Sequence, residues 1–193
     1  TLDVLHYEIA LDLTDSLSKE LKGVTEITLL SKQNGLSKVN LDLLNLTVDS
    51  LWLDGSKTSN WTHNGTLLSI TTAPKNIGDT VRIKVAYHGL PFGETWGGWY
   101  NNSSYIFNLG VGFQSIPHNL GKVWHPCVDN FIERATYSVS LKTFGNWIGV
   151  GSGVLLNVDT VQQSPRILNR TWQLNQEIPT YLYGIAAGRY ILL

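Results

Sequence analysis

Alternation of apolar and polar residues is the feature of this sequence that most restricts its fold. It is clearest at Val81, Ile83, Val85 and Tyr87, which alternate with polar or small residues, and it recurs over residues 5–13. A period of two residues places successive side chains on opposite faces of a β-strand. Each such segment therefore predicts a strand with one buried face.

Turn signals divide the chain into short segments of this kind. Asp54-Gly55 and Asn64-Gly65 are typical of tight hairpins, and no stretch has the apolar spacing of an amphipathic helix. The sequence predicts an all-β fold of roughly ten short strands, arranged as a two-layer antiparallel sandwich or a saddle-like pair of sheets. Residues 92–104, rich in Gly, Trp and Asn, are predicted to form a loop.

Composition excludes several classes of function. Hydrophobic residues make up 42% and charged residues 15% of the 193 residues, which is typical of a folded domain and not of a disordered chain. A net charge of -1 gives no reason to expect nucleic acid or an anionic membrane as a partner. No apolar run approaches the roughly 18 residues of a membrane-spanning helix. Low charge with many Asn and Trp residues favours a location outside the cytoplasm.

The ends of the chain indicate a piece of a longer protein. The sequence begins at Thr1, contains no methionine and ends in an apolar run, within a strand predicted for residues 183–192. We expect residues 1–193 to form a single β domain of that protein. Asn-x-Ser/Thr sequences, which would carry glycans only in a eukaryotic secretory pathway, begin at Asn45, Asn60, Asn64, Asn101, Asn102 and Asn169.

One long segment, around residues 108–135, breaks the strand pattern. It contains the side chains most able to support chemistry: Gln114, two histidines, the single cysteine, and the acidic pair Asp129 and Glu133. Long irregular segments are uncommon in compact domains and often carry function. Any chemistry in this chain is therefore expected to involve this segment.

Catalytic interpretations of these side chains are weaker than structural ones. The histidines show neither His-Glu-x-x-His nor zinc-finger spacing, which disfavours a metal site; they are His6, His63, His88, His118 and His125. Cys127 lacks the surroundings that lower a thiol pKa, so a buried structural role is favoured over that of a nucleophile. Asp129 is interpreted as the N-cap of a short turn over residues 130–135 that includes Glu133, and glycosidase chemistry has no further support.

An aromatic stretch leaves a second function open. Trp96, Trp99 and Tyr100 lie within a few residues of one another, and exposed rings of this kind would suit a free-standing carbohydrate-binding module. Tryptophans in β proteins more often fill the core or an interface, and that role is favoured. A protein-binding β module remains a further alternative.

Several motifs carry a resemblance to a known family. The most specific is the run from Trp124 to Tyr137, Trp-His-Pro-Cys-Val-Asp-Asn-Phe-Ile-Glu-Arg-Ala-Thr-Tyr. The others are Tyr7-Glu8-Ile9, Gly23-Val24-Thr25-Glu26-Ile27, Leu41-Asp42-Leu43, residues 78–89, Pro179-Thr180-Tyr181-Leu182 and Ala187-Gly188-Arg189-Tyr190. Nearly all of the chain thus resembles the N-terminal β domain of the aminopeptidase N family of zinc metallopeptidases. Asn130-Phe131 in place of Glu-Pro, and His125 in place of an aromatic residue, indicate a divergent, bacterial-type branch.

The resemblance implies that this chain carries no catalytic residue. In the family, the zinc ligands and the Gly-x-Met-Glu-Asn motif belong to a following domain, so zinc is expected there and no cofactor is expected here. The N-terminal domain covers the active site and supplies a Gln or Glu that binds the free amino group of peptide substrates. The matching position is Gln114. The expected partners are peptides and a catalytic domain of the same chain; an adaptor whose parent has lost its zinc site is the other alternative.

Overall fold

The computed structural model describes residues 1–15, 18–102 and 104–190. Within these residues the chain forms β-strands and two 3-10 turns, Gly121–Val123 and Thr180–Leu182, but no α-helix. The strands are β1 (Leu2–Asp12), β2 (Leu21–Ser31), β3 (Leu36–Asp42), β4 (Thr47–Leu53), β5 (Ser56–Thr58), β6 (Trp61–His63), β7 (Leu67–Lys75), β8 (Thr80–Gly89), β9 (Gly93–Glu94), β10 (Gly97–Asn101), β11 (Tyr105–Leu109), β12 (Ala135–Phe144), β13 (Ile148–Gly151), β14 (Val154–Gln163), β15 (Arg166–Ile178) and β16 (Ile185–Gly188). The part of the chain described here includes no helix with the length and apolar character needed to cross a membrane.

The largest sheet contains eight strands in the order β14-β15-β12-β1-β2-β8-β4-β5. β1 pairs antiparallel with β2 but parallel with β12, so that His6 lies opposite Thr136. Strands joined by a hairpin must run antiparallel, whereas β1 and β12 are separated by most of the chain and are free to run in the same direction. The predicted all-β sandwich is confirmed, and this parallel pair is a departure from uniform antiparallel pairing.

Two smaller sheets cover one face of the large sheet. Their strand orders are β13-β16-β11-β10-β9 and β3-β7-β6. Alternate residues of the large sheet, such as Ile9 and Ile83, are fully buried in one core together with Leu41, Ile70 and Ile106 of the smaller sheets. The side chains between them point to the opposite face and include the exposed Glu8 and Lys84, so only one face of the large sheet is covered there. Each fully buried apolar side chain contributes about 1.5–3 kcal/mol to this core.

Both predicted hairpin dipeptides lie in turns. Asp54-Gly55 joins β4 to β5, and Asn64-Gly65 lies between β6 and β7. Asp54 and Gly55 have φ values of 48° and 85°, as a type I′ turn requires.

The loop predicted for residues 92–104 is wrong in part, because β9 and β10 lie within it. Glycine hides these strands from the apolar pattern. A Cβ on Gly93 would lie 2.5 Å from the Trp99 carbonyl oxygen, and Gly98 has a φ of 83°. Glycine is therefore required where these strands approach closely, but it removes the side-chain alternation on which strand prediction depends.

Of the strand predicted for residues 183–192, the structure contains β16. Residues 191–193 lie outside the described residues, as does Ser103, which belongs to the Asn-x-Ser sequences at Asn101 and Asn102.

Candidate functional site

The irregular segment predicted around residues 108–135 lies between β11 and β12, and the turn Gly121–Val123 is the regular element within it. It has two parts that differ in burial. Residues 119–129, which we call the anchor, are mostly buried, whereas residues 113–117, which we call the tip, are mostly exposed. The anchor therefore fixes the position from which the tip projects.

Backbone hydrogen bonds join the anchor to two sheets. Cys127 and Asp42, at the end of β3, exchange backbone hydrogen bonds of 2.6 and 3.0 Å. The Tyr7 hydroxyl on β1 accepts the N–H of Val128 at 3.0 Å, and the Asp42 carboxylate accepts the N–H of Asp129 at 2.9 Å. Burial raises the pKa of Asp42. The segment is thus held where the large sheet meets the three-stranded sheet.

The Asp129 carboxylate closes the anchor from inside. One oxygen accepts a hydrogen bond from the Thr180 hydroxyl at 2.6 Å, and the other accepts from the ammonium and the backbone N–H of Lys122, each at 3.2 Å. Asn119 donates its side-chain amide to the Asp129 carbonyl. The Asp129 side chain has no exposed surface. A buried carboxylate is tolerated when it is paired and hydrogen-bonded in this way, so the role of Asp129 is structural.

The predicted N-cap role of Asp129 is wrong. Its neighbour Asn130 caps this stretch instead, since Oδ1 of Asn130 accepts the N–H groups of Ile132 and Glu133 at 2.8 and 2.6 Å. The Glu133 carboxylate accepts the N–H of Val4 on β1 at 2.5 Å. Asp and Asn both bind backbone N–H groups a few residues ahead, so the sequence does not decide between neighbours. The carboxylates of Asp129 and Glu133 therefore bind different parts of the chain and do not act as a pair.

The two histidines of the segment lie in different environments. His118 is exposed, whereas His125 is fully buried against Tyr7 and Trp124, at ring centroid distances of 5.3 and 4.2 Å. His125 Nδ1 donates to the Pro126 carbonyl at 3.1 Å, and its Nε2 has no partner among the described residues. Burial lowers the pKa of His125 to about 4, so the ring is neutral at pH 7.

Neither the cysteine nor the histidines form a reactive or metal-binding group. Cys127 is fully buried, and burial raises its pKa well above the usual value, so the thiol stays protonated. Within residues 1–15, 18–102 and 104–190 there is no group of three or more His, Cys, Asp or Glu side chains that could hold a metal ion. The side chains of this part of the chain do not fit zinc.

The tip projects from a narrow stem of two antiparallel segments. Gly112 donates its N–H to the His118 carbonyl at 2.8 Å, and Leu120 donates to the Gly110 carbonyl at 2.7 Å. Gln114 lies at the tip with its side chain exposed. The residue that the resemblance assigns to substrate binding is therefore presented on a hairpin-like loop.

Glu94 binds the tip through both of its carboxylate oxygens. Oε1 accepts the N–H of Gln114 at 2.8 Å, and Oε2 accepts the N–H and the hydroxyl of Ser115 at 2.9 and 2.6 Å. These hydrogen bonds, led by that from the Ser115 hydroxyl, lower the pKa of Glu94. The role of Glu94 could not be predicted from the sequence, because an acidic side chain in a stretch rich in Gly and Trp gives no signal for contacts 20 and 21 residues away.

Trp96, Trp99 and Tyr100 do not together form one exposed platform of the kind that a sugar site needs. Trp99 is only 7% exposed, and the Tyr100 hydroxyl is bound between the N–H of Gly97 at 2.6 Å and the Glu94 carbonyl at 3.0 Å. Trp96 is 58% exposed, and its ring lies nearly parallel to that of Phe113 at a centroid distance of 6.4 Å. Among these three side chains, Trp96 contacts the tip, through Phe113.

Exposed apolar side chains lie on the tip, in the stretch after the anchor and in the turn Thr180–Leu182, and we call them the apolar rim. The rim consists of Phe113, Ile116, Phe131, Ile132 and Leu182, all of them exposed. Tyr181 lies between the stem and the part of the rim outside the tip. Phe131 packs edge-on against Tyr181 at 5.2 Å, and a Cβ on Gly110 in the stem would lie 1.9 Å from the Tyr181 carbonyl. Apolar side chains exposed together are typical of a surface that binds another protein surface or a ligand.

A separate open cavity of about 830 Å³ lies on the uncovered face of the large sheet. Its floor includes Ala10, Val24 and Ala86, and at its edge Lys142 pairs with Asp12 at 2.7 Å. None of its lining residues belongs to the tip or the anchor, so it takes no part in the site.

Comparison with solved structures decides the fold family. No protein-family model and no curated protein matches the sequence. The M1 zinc metallopeptidase of Deinococcus radiodurans superposes with a TM-score of 0.84 at 25% identity, over 97% of this chain and 42% of that chain. Legionella pneumophila aminopeptidase A superposes with a TM-score of 0.83 at 16% identity, over 97% of this chain and 21% of that chain.

This chain has the fold of a domain of M1 zinc metallopeptidases.

The M1 fold confirms the resemblance predicted from the motifs. Yeast LTA4 hydrolase, solved with bestatin, shares the fold at a TM-score of 0.73 and 22% identity, over 97% of this chain and 28% of that chain. One M1 structure contains bound L-tryptophan, and the Legionella enzyme is in complex with aspartic acid. The chain spans less than half the length of each of these proteins.

Proposed function

We propose that this chain is the non-catalytic N-terminal domain of a zinc aminopeptidase, that it covers the active site, and that Gln114 binds the free amino terminus of peptide substrates. The observation that carries the proposal is the M1 fold, which extends over 97% of this chain and matches 42% of a zinc metallopeptidase. The longer protein that would contain this chain as its N-terminal domain is called the parent protein below. On this proposal the zinc and the catalytic groups belong to the remainder.

The chemistry of Gln114 suits an amino group. Its amide oxygen has two lone pairs, and a substrate ammonium offers three N–H donors. Hydrogen bonds to a charged group contribute about 1.5–3 kcal/mol, which corresponds to about 10- to 150-fold in affinity. The tip supports such a bond, because its backbone is held by Glu94 while the Gln114 side chain stays accessible.

The apolar rim supports the covering role. Phe113 and Ile116, on either side of Gln114, are 75% and 90% exposed, and Ile132 extends the surface at 85% exposure. Removing such side chains from water stabilises the contact between two domains. The surface that packs on the rim is, on this proposal, the catalytic domain of the parent protein, and Gln114 then lies at the edge of the substrate cleft.

A matched pair of inhibitors tests the role of Gln114 in the parent protein. Leucine hydroxamate carries the α-amino group, and 4-methylpentanoic hydroxamate lacks it. Gln114→Ala should weaken inhibition by leucine hydroxamate by about tenfold or more, and leave inhibition by the second compound unchanged. Gln163→Ala, which changes an exposed glutamine of β14, is the control and should affect neither compound. Equal effects of Gln114→Ala on both inhibitors, or no effect, would overturn this role.

Further measurements separate the proposal from its alternatives. Stoichiometric zinc and turnover of an aminoacyl-anilide by the parent protein distinguish an enzyme from an adaptor that has lost its zinc site. The isolated chain should not turn over the same substrate, and turnover by it would contradict a non-catalytic role. Glycan binding that is lost on Trp96→Ala would favour a carbohydrate-binding module.

A further inference from the structure

The hydrogen bonds of Glu94 fix the backbone on both sides of Gln114. The N–H of Gln114 belongs to the peptide plane before its Cα atom, and the N–H of Ser115 belongs to the plane after it. One carboxylate accepts both, at 2.8 and 2.9 Å. Holding the two planes leaves little freedom in φ and ψ of Gln114, and therefore sets the direction in which its side chain leaves the backbone.

Glu94 is itself held in place. Its carbonyl accepts the Tyr100 hydroxyl at 3.0 Å, and the same hydroxyl accepts the N–H of Gly97 at 2.6 Å. Glu94 and Gly97 are also paired in the β9–β10 ladder. The backbone of Glu94 is thus held by hydrogen bonds within the five-stranded sheet. The carboxylate that contacts the tip therefore extends from a fixed position.

The stem of the tip is shaped to receive this carboxylate. A Cβ on Gly112 would lie 2.3 Å from Oε1 of Glu94, so the backbone approaches the carboxylate where a side chain would exclude it. The stacked rings of Trp96 and Phe113 join the same turn to the first residue of the tip. The carboxylate and the ring pair hold the tip from neighbouring positions.

We propose that Glu94 is a positioning residue for substrate recognition. By accepting the backbone N–H groups of residues 114 and 115, it orients the Gln114 amide toward the amino group of the peptide. The inference rests on the proposed function of Gln114. Carboxylates that accept backbone N–H groups make strong, charge-assisted bonds. With the amide aimed in advance, binding of the amino group does not have to order the loop, and less free energy is lost on binding.

The first test measures, in the isolated chain and without any substrate, how strongly Glu94 restrains the backbone of residues 114 and 115. Glu94→Ala should accelerate amide hydrogen exchange at Gln114 and Ser115 by about tenfold or more, because the acceptor of both N–H groups is removed. Asp79→Ala is the matched control: Asp79 accepts the N–H of Asn76 at 2.7 Å in the turn before β8, so it removes an equivalent bond elsewhere. The control should leave exchange at residues 114 and 115 unchanged. Unchanged exchange in Glu94→Ala would overturn the inference.

The second test asks, in the parent protein, whether Glu94 affects inhibitor binding by way of Gln114. Glu94→Ala should weaken leucine hydroxamate about as much as Gln114→Ala does, and leave 4-methylpentanoic hydroxamate unchanged. The double variant should lose no more than Gln114→Ala alone, because both changes remove the same interaction. Glu94→Gln, which keeps the shape and one acceptor oxygen, should give an intermediate loss and serves if Glu94→Ala does not fold. A general structural role would weaken both inhibitors and lower the melting temperature.

The outcomes separate the two proposals. If Gln114→Ala is selective for the amino-bearing inhibitor and Glu94→Ala is not, Gln114 keeps its role and the positioning role of Glu94 is overturned. If Gln114→Ala is not selective, the proposed function of Gln114 fails, and the positioning role that rests on it fails with it. Additive losses in the double variant would show that Glu94 acts independently of Gln114 and would likewise contradict the inference.

Discussion

The buried imidazole of His125 makes the stability of the domain depend on pH. Burial lowers the pKa of His125 to about 4, whereas the same ring in the unfolded chain has a pKa of 6.5. As the pH falls, the unfolded chain therefore binds the proton first, and the free energy of unfolding decreases between pH 6.5 and pH 4. We expect this residue to remove about 3 kcal/mol of stability by pH 4, relative to pH 7.5.

Urea unfolding of the wild type and of His125→Phe at these two pH values measures the effect. Phenylalanine keeps an aromatic ring beside Trp124 but cannot be protonated, so the variant should show the smaller loss at pH 4. Burial raises the pKa values of Asp12 and Asp54, but hydrogen bonds from Lys142 and Lys75 outweigh it and lower them. These two groups titrate equally in both proteins. The same pH dependence in both proteins would contradict the prediction.

At the scale of single residues, local composition could predict burial but not long-range partners. Cys127 lacks activating neighbours in the sequence, and the structure buries it within the anchor. Asp129 and Asn130 could not be told apart as caps, because their side chains accept the same backbone bonds. The contact of Glu94 with Gln114 depends on how β9 and β10 are placed, and no local pattern encodes it.

β14 is an edge strand whose features against pairing with another strand are one charge and two irregularities in its register with β15, at residues 155–157 and 160–162. It pairs with β15 alone among the described strands, and its ten residues are all exposed. Asp159 is its one charged residue. Edge strands without charges or proline are prone to self-association. We expect the isolated chain to associate through β14 at high concentration, and Val158→Lys to suppress this while changing the stability by less than about 0.5 kcal/mol.

Light scattering as a function of concentration, with urea unfolding as a control for stability, tests this prediction. Asp159→Asn removes the one charge of β14 at constant size and should increase association. The edge of β14 is not the contact if Val158→Lys associates as strongly as the wild type.

At the scale of elements, strands with side-chain alternation could be predicted and strands built from glycine could not. β8 has a period of two over its whole length and is present as predicted. β10 contains two consecutive glycines and buries Trp99, and its pairing with β9 is specified by close backbone approach. A pattern of side chains cannot report a contact that exists because side chains are absent.

For the molecule as a whole, exposure of the apolar rim is the property that the proposed covering role would change. We expect anilinonaphthalene sulfonate to bind the isolated chain, and the double variant Ile116→Ser with Ile132→Ser to lose about half or more of the dye fluorescence, because these side chains are 90% and 85% exposed. Ile77→Ser is the control, since Ile77 is 63% exposed in the turn before β8. It should leave the fluorescence unchanged.

Comparison with the parent protein completes this test. If the catalytic domain packs on the rim, the parent protein should bind less dye per domain, and the double variant should make little further difference. Equal dye binding by the rim in both proteins would contradict the covering role.

The order of strands was the property of the whole molecule that the sequence did not reveal. Turn dipeptides such as Asp54-Gly55 specify which neighbours in sequence also pair in space. The pairing of β1 with β12 has no such local signal, because both strands present the same alternating pattern as several others. The fold class follows from the patterns, whereas the arrangement follows from the shared core.

The parallel pair of β1 and β12 also has a consequence for how the protein is made. β1 leaves the ribosome well before β12, because its neighbour Thr136 follows His6 by 130 residues. At cellular rates of synthesis, roughly 10 s pass before that neighbour has been added. During this interval β1 has β2 on one side and an open edge on the other. Nascent chains that stop before β12 therefore expose the middle of the future sheet, and a chaperone that binds extended apolar segments would find its target there.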